Sequence, residues 1–151
     1  MNIIFEPIAP STVPEAIGPY TPALSIGDFV FVSGQIGIDV KEGVLKQGVE
    51  AQARQALENM KAILDARGLE MRHVVKTTVF LADMNDFNAV NAVYGTYFSE
   101  PYPARSAVQV GALPKGALVE IEAYAIDTRA LEVICSSESC ACGCGSCSHE
   151  E

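Results

Sequence analysis

The sequence predicts an α+β fold: one mixed β-sheet with two helices on one face. Three observations carry this. Two stretches place apolar residues at helical spacing, and several short runs rich in β-branched and aromatic residues are punctuated by glycine or proline. These elements follow one another as strand, two strands, helix, strand, helix, two strands. Packing both helices against one face of a single sheet is the economical way to bury two apolar stripes.

The elements follow in order. Residues 3–7 can form a first strand. Pro7, Pro10, Pro14, Pro19 and Pro22 make residues 7–22 an extended, turn-rich loop. Residues 23–26 and 29–33 flank Gly27-Asp28 and read as a hairpin. Phe29-Val30-Phe31-Val32 is apolar on both faces, which fits a central strand or one covered by another subunit. Residues 49–67 carry Val49, Ala53, Ala56, Leu57, Met60, Ile63 and Leu64 at helical spacing, with Gly68 suited to the C-terminal cap. Residues 74–81, Val-Val-Lys-Thr-Thr-Val-Phe-Leu, read as a strand. Asp83 or Asn85 can cap a second helix whose stripe is Phe87, Val90, Tyr94, Tyr97 and Phe98. A strand is expected within residues 102–110 and another over 118–126.

Bulk properties bound the function. The chain has 151 residues, 49% apolar and 19% charged, enough for one globular domain with a core. The formal net charge of −9 argues against a general binder of nucleic acid or anionic membrane, because phosphate neutralisation needs clustered Lys and Arg. No apolar run approaches the roughly 18 residues that span a bilayer. The N-terminal residues have no basic start or long apolar segment, so the expected location is the cytoplasm.

The chemistry-bearing positions lie near strand ends and in loops. With a period of two, Arg105, Ala107 and Gln109 share one strand face and Ser106, Val108 and Val110 the other. The second face is expected to be core, so that Arg105 leaves it. A guanidinium can hold a planar carboxylate through two parallel hydrogen bonds, but a solvated arginine or a structural ion pair fits the same position. Tyr20, after Gly18-Pro19, lines a pocket or covers a core edge. Ser33-Gly34 ends an apolar strand, where glycine lets a ligand or another backbone approach closely. Asn91 is a satisfied buried amide or a pocket group. Glu120 and Glu122 share a strand face, either solvated or, under a partner subunit, offering a general acid/base.

The stretches Ile17-Gly18-Pro19-Tyr20, Ser33-Gly34-Gln35, Val75-Lys76-Thr77-Thr78-Val79-Phe80-Leu81, Asp86-Phe87 with Val90-Asn91, Pro103-Ala104-Arg105-Ser106, Leu113-Pro114-Lys115 and Glu120-Ile121-Glu122-Ala123 occur together in this order. Together they resemble the RidA/YjgF family of reactive-intermediate deaminases, over about residues 3–128. The resemblance implies a chorismate-mutase-like fold and a homotrimer whose sheets form a central barrel with clefts between subunits. It implies hydrolysis of 2-imino acids, or the enamines that tautomerise to them, to 2-keto acids and ammonia, without metal or organic cofactor. Such intermediates arise from pyridoxal-phosphate enzymes such as threonine or serine dehydratase. By motif match, Arg105 is the arginine that binds the substrate carboxylate. Tyr20, Ser33, Gly34 and Asn91 match pocket positions, and Glu120 the glutamate associated with the water. Three departures stand out: Ala107 where many close relatives carry cysteine, Thr21-Pro22 where Ser-Gln or similar is common, and, largest, the extension after Arg129.

Residues 1–128 thus read as the deaminase-like domain and 129–151 as a flexible tail. All five cysteines, Cys135, Cys140, Cys142, Cys144 and Cys147, fall in that tail. Cys140, Cys142, Cys144 and Cys147, with His149 close by, form a candidate soft-metal set for Zn or Cu(I). An oxidisable segment without metal is the alternative. Two competing functions remain for the domain: a non-catalytic small-ligand-binding or chaperone-like trimer of the same fold, and ribonuclease-like activity, against which the acidic balance weighs.

Overall fold

A computed structural model describes residues 4–129. Six strands form one sheet: β1 (Glu6–Ile8), β2 (Ala23–Ile26), β3 (Phe29–Ile36), β4 (Val74–Leu81), β5 (Ala104–Gln109) and β6 (Val119–Ile126). Their order across the sheet is β1-β2-β3-β6-β4-β5. Only β4 and β5 pair in parallel; the other neighbours are antiparallel. Helices α1 (Val49–Ala66) and α2 (Phe87–Tyr94) lie on the same face.

Alternation along the strands sets the core. Val30 and Val32 of β3, Thr77, Val79 and Leu81 of β4, and Val119, Ile121, Ala123 and Ala125 of β6 are buried beneath the helices. They meet Leu57, Met60, Ile63 and Leu64 of α1, all fully buried. Truncating one of these large side chains to alanine costs about 2–5 kcal/mol, so this layer holds the sheet to the helices. Helix α1 ends as expected: Gly68 takes φ 75° and donates its N–H to the Asp65 carbonyl.

Two buried amides tie α1 to the loops around it. Gln52 donates Nε2–H to the Lys46 carbonyl at 2.9 Å and accepts the Leu118 N–H on Oε1 at 2.8 Å. Asn59 donates to the carbonyls of Ile36 and Ile38. Gly37 packs so closely on Gln52 that a Cβ there would meet the Gln52 Cβ at 2.7 Å.

The opposite sheet face is open and strongly apolar. Phe29, Phe31 and Tyr124 are 54%, 44% and 47% exposed, and Leu24 and Ile26 lie beside them. Phe31 and Tyr124 make an edge-to-face contact with centroids 5.5 Å apart. A contiguous exposed patch of this kind marks an association surface.

Three details differ from the sequence reading. β1 begins at Glu6 rather than residue 3. Helix α2 stops at Tyr94, where Gly95 follows; Tyr97 and Phe98 lie beyond the helix, although Phe98 still packs on the Tyr94 ring at 4.5 Å. The third concerns β5. Ser106 and Val108 were expected in the core, yet both are exposed, and Ser106 accepts a hydrogen bond from Lys76 on the open face. Arg105, Ala107 and Gln109 face the helices instead, and Gln109 Oε1 accepts the Met84 N–H at the approach to α2. The period of two held, but its phase was inverted, because this edge strand packs on one short helix through an arginine and small or polar side chains.

Candidate active site

The motif residues assemble into two clusters on opposite faces of the sheet. The first surrounds Arg105. Residues 104–109 pair with 76–81, which places Arg105 beside Thr77 at the sheet edge, under α2. Asp83 caps the 3₁₀ turn that leads into this helix by accepting the Asn85 N–H at 2.8 Å. From α2, Asn91 Oδ1 accepts a hydrogen bond from Arg105 Nη1 at 2.7 Å. The guanidinium carbon lies 4.8 Å from the centre of the Tyr94 ring and 5.6 Å from that of Phe87. The hydrogen-bond partner of the guanidinium is thus a neutral amide, and the side chain is exposed. Asn91 is therefore a group of this cluster rather than a self-contained core amide.

The second cluster is a cavity of about 230 Å³ lined by Ile17, Tyr20, Ser33, Gly34, Ile36, Pro114 and Glu120. It owes its shape to a bulge. Val32 pairs with Ala123 and Gln35 with Ile121, so Ser33 and Gly34 together oppose Glu122 alone. The Ser33 hydroxyl donates to the Thr21 carbonyl at 2.7 Å, and the Ser33 N–H to the Pro22 carbonyl at 2.9 Å. These bonds hold the loop that carries Tyr20 against the bulge, so Ser33 acts here first as a loop anchor. Gly34 leaves room for Glu120, whose carboxylate occupies the space that a Cβ on residue 34 would need. Burial, and secondarily the neighbouring Glu122 carboxylate, hold Glu120 above the usual carboxylate range. A half-buried carboxylate with a raised pKa in a small cavity is suited to accept and return a proton.

Within one chain the two clusters do not meet. Arg105 shares the face of its register partner Thr77 and of Ala123, both buried under the helices. Glu120, three residues from Ala123 on β6, points to the other face. The motif residues thus group as Arg105 with Asn91, and as Tyr20, Ser33 and Gly34 with Glu120. Phe87 and Tyr94 were missed as site neighbours, because their helical stripe reads as core and nothing in that spacing signals an arginine above it. Pro114 and Ile17 also line the cavity, and both lie inside the quoted motifs.

Among the described residues, no group of three or more His, Cys, Asp or Glu side chains could hold a metal. The candidate set Cys140, Cys142, Cys144 and Cys147 lies outside the described residues. No described helix is long and apolar enough to cross a membrane.

The family model described as Endoribonuclease L-PSP matches residues 10–127. The 2-iminobutanoate/2-iminopropanoate deaminase of Salmonella typhimurium is 51% identical over 122 residues, covering 79% of this chain and 95% of that protein. The human protein of the same name is 51% identical over 126 residues, covering 83% and 92%. Among solved structures, RidA from a Psychrobacter species superposes with a TM-score of 0.79 at 46% identity, covering 80% of this chain and 98% of that one. Escherichia coli TdcF with bound serine gives 0.77 at 45% identity, with the same two coverages.

Proposed function

Because this chain belongs to the family described as Endoribonuclease L-PSP, which is the RidA/YjgF family of its motifs, we propose that it hydrolyses reactive 2-imino acids and their enamine tautomers to 2-keto acids and ammonia. The observation that carries this most directly is the identity of about half to deaminases named for 2-iminobutanoate and 2-iminopropanoate, over nearly their whole length. The local chemistry supports it. Arg105, steadied by Asn91, has the geometry for a substrate carboxylate. E. coli TdcF, solved with bound serine, is a precedent for a small carboxylate-bearing molecule on this fold.

The reaction then divides between the two clusters. Arg105 holds the carboxylate and withdraws charge from the adjacent C=N carbon. Glu120 takes a proton from a water molecule as its oxygen attacks that carbon and the C=N π electrons move to nitrogen. The nitrogen receives that proton, giving the tetrahedral carbinolamine; Glu120 then carries the carbinolamine's hydroxyl proton to the amine nitrogen as the C–N bond breaks, the C=O forms and ammonia leaves. Water is the only co-substrate, and imine hydrolysis is an easy reaction for which positioning and proton transfer suffice, so no metal or organic cofactor is required.

Arg105 and Glu120 lie on opposite faces of one chain's sheet, so the proposal requires that Arg105 of one subunit meet Glu120 of another. The apolar open face around Phe31 and Tyr124 supports the homotrimer that would do this. The acting unit is residues 1–128, and the cytoplasm is its proposed location. The tail, 129–151, is proposed to bind one soft ion, Zn or Cu(I), through its cysteines when reduced, apart from catalysis. A ribonuclease reading finds less support: His73, the one histidine among the described residues, is buried with its Nδ1 facing the Glu70 backbone, away from both clusters.

The test is a coupled assay. A pyridoxal-phosphate dehydratase generates 2-iminobutanoate or 2-iminopropanoate in situ, and 2-keto acid formation is followed with and without this protein. Faster formation supports the proposal. Unchanged formation across several amino-acid substrates refutes it and leaves a non-catalytic ligand-binding trimer.

A further inference from the structure

Arg105 is an exposed side chain on an edge strand, yet its guanidinium is held in place by contacts that leave its donors in use only once. One N–H goes to Asn91, and the face lies over Tyr94 with Phe87 close by. Phe87, Asn91 and Tyr94 occupy successive turns of one face of α2. An aromatic ring attracts a guanidinium through its π-face and leaves the in-plane N–H groups free. A carboxylate in the same position would consume the donors that a substrate needs.

Tyr94 is itself fixed. Its ring is 5% exposed, and its hydroxyl pairs at 2.8 Å with Oγ1 of Thr77, which is fully buried. Burial raises the Tyr94 pKa, so the phenol stays neutral beside the arginine. The hydroxyl is directed to the core, away from the guanidinium's free edge. Thr77 is also the register partner of Arg105 across the parallel pair β4–β5. The arginine is therefore referenced to Thr77 twice: at its backbone through the sheet, and at its tip through the Tyr94 ring.

We propose that Tyr94, tethered by Thr77, is a positioning residue for Arg105, setting the plane in which the guanidinium receives a substrate carboxylate. The inference deepens the carboxylate-binding reading of Arg105 and rests on it. Tyr94 touches no reacting atom.

The experiment uses the full-length protein and 2-oxobutanoate as probe, its binding measured by calorimetry on folded variants. Tyr94→Leu is expected to weaken binding about tenfold, in line with a partly desolvated cation–π contact. Tyr94→Phe keeps the ring and recovers most of that loss. In an Arg105→Ala background, Tyr94→Leu changes nothing further, because the two residues act as one unit. KM for the imine rises in Tyr94→Leu by a larger factor than kcat falls. The Arg105 Nε–H proton resonance, shielded by the ring, moves downfield in Tyr94→Leu and stays in place in Tyr94→Phe. Should Tyr94→Leu fail to fold, Thr77→Val unties the ring without emptying the core, with an expected weakening of about two- to threefold for the loss of one neutral hydrogen bond. A folded Tyr94→Leu or Thr77→Val that binds 2-oxobutanoate like wild type overturns the inference and leaves deamination standing. Tyr94-dependent binding in a protein that hydrolyses no imine upholds the inference and removes deamination.

Discussion

The carboxylate of Glu120 sits where a side chain on residue 34 would have to go. The bulge at Ser33-Gly34 and the acid on β6 are therefore one construction. Gly34→Ala is expected to push Glu120 out of the cavity and reduce kcat by about 10²-fold, the low end of what a positioned acid–base group contributes. The fold should survive, since the conflict is with the end of one side chain. The check is a kinetic comparison beside a melting curve; normal turnover in Gly34→Ala would separate Glu120 from the chemistry.

The raised pKa of Glu120 has a sign that can be followed. In the folded protein this carboxyl binds its proton more tightly than in the unfolded chain. Its contribution to stability is fully present below the unfolded value of about 4.3 and is lost as pH rises through the folded value. The melting temperature of wild type relative to Glu120→Gln should therefore fall as pH rises across that window. The acid limb of kcat/KM should lie above the ordinary carboxylate range and vanish in Glu120→Gln, with kcat reduced more than binding. A melting difference independent of pH would contradict the shift. Asp39 runs the other way: its hydrogen bond from Lys46 holds it down at about 2, so its contribution is lost only in strong acid.

Arg105→Ala is expected to abolish measurable deamination while leaving the fold intact. Each charge-assisted hydrogen bond lost contributes roughly 1.5–3 kcal/mol, with orientation in addition. Arg105→Lys should also be poor, because an ammonium neither forks nor stacks on Tyr94 as a guanidinium does. Near wild-type ammonia release by Arg105→Ala would end the assignment.

Placement of Arg105 and Glu120 on opposite sheet faces leads to a test of assembly. Arg105→Ala, inactive, and Glu120→Gln, slowed, should together exceed the activity of either alone when unfolded and refolded as a mixture, because some mixed trimers then contain one intact cleft. That excess should be absent if both residues serve within one chain. Sedimentation should give a trimer at micromolar concentration; a stable monomer would remove the intersubunit site.

For the tail, metal content of the reduced full-length protein is expected to exceed that of a chain ending at Thr128 by about one Zn or Cu(I) per subunit, a ratio set by a four-thiolate site. Deamination should be equal in the two. Equal metal content would dismiss the soft-ion reading, and lost activity in the shorter chain would tie the tail to catalysis.

The sequence was most legible where local preference and tertiary setting agree. Residues 74–81 form β4 to the residue, because a β-branched run in a central strand satisfies both. The two-sided apolar run at Phe29–Val32 identified a central strand, and Phe29 and Phe31 indeed remain on the open face. On β5 the alternation was visible but its direction was not, since Ala107 and Val108 differ too little to outweigh an arginine packed on aromatic rings. The stripe through Phe98 was read as one helix, whereas Gly95 ends it after Tyr94. The separation of the motif residues onto two faces needs the register of β4, β5 and β6 together, which no single stretch contains.

Helix α1 carries none of the candidate chemistry, yet the two amide bonds of Gln52 run to segments that adjoin the walls of the Glu120 cavity along the chain. One reaches the loop that follows Gly37; the other reaches Leu118, just after the Pro114 wall. A single side chain thus acts as a keystone between segments that are far apart along the chain. Its loss would loosen the cavity from behind, where no inspection of the substrate-facing surface would look for the fault.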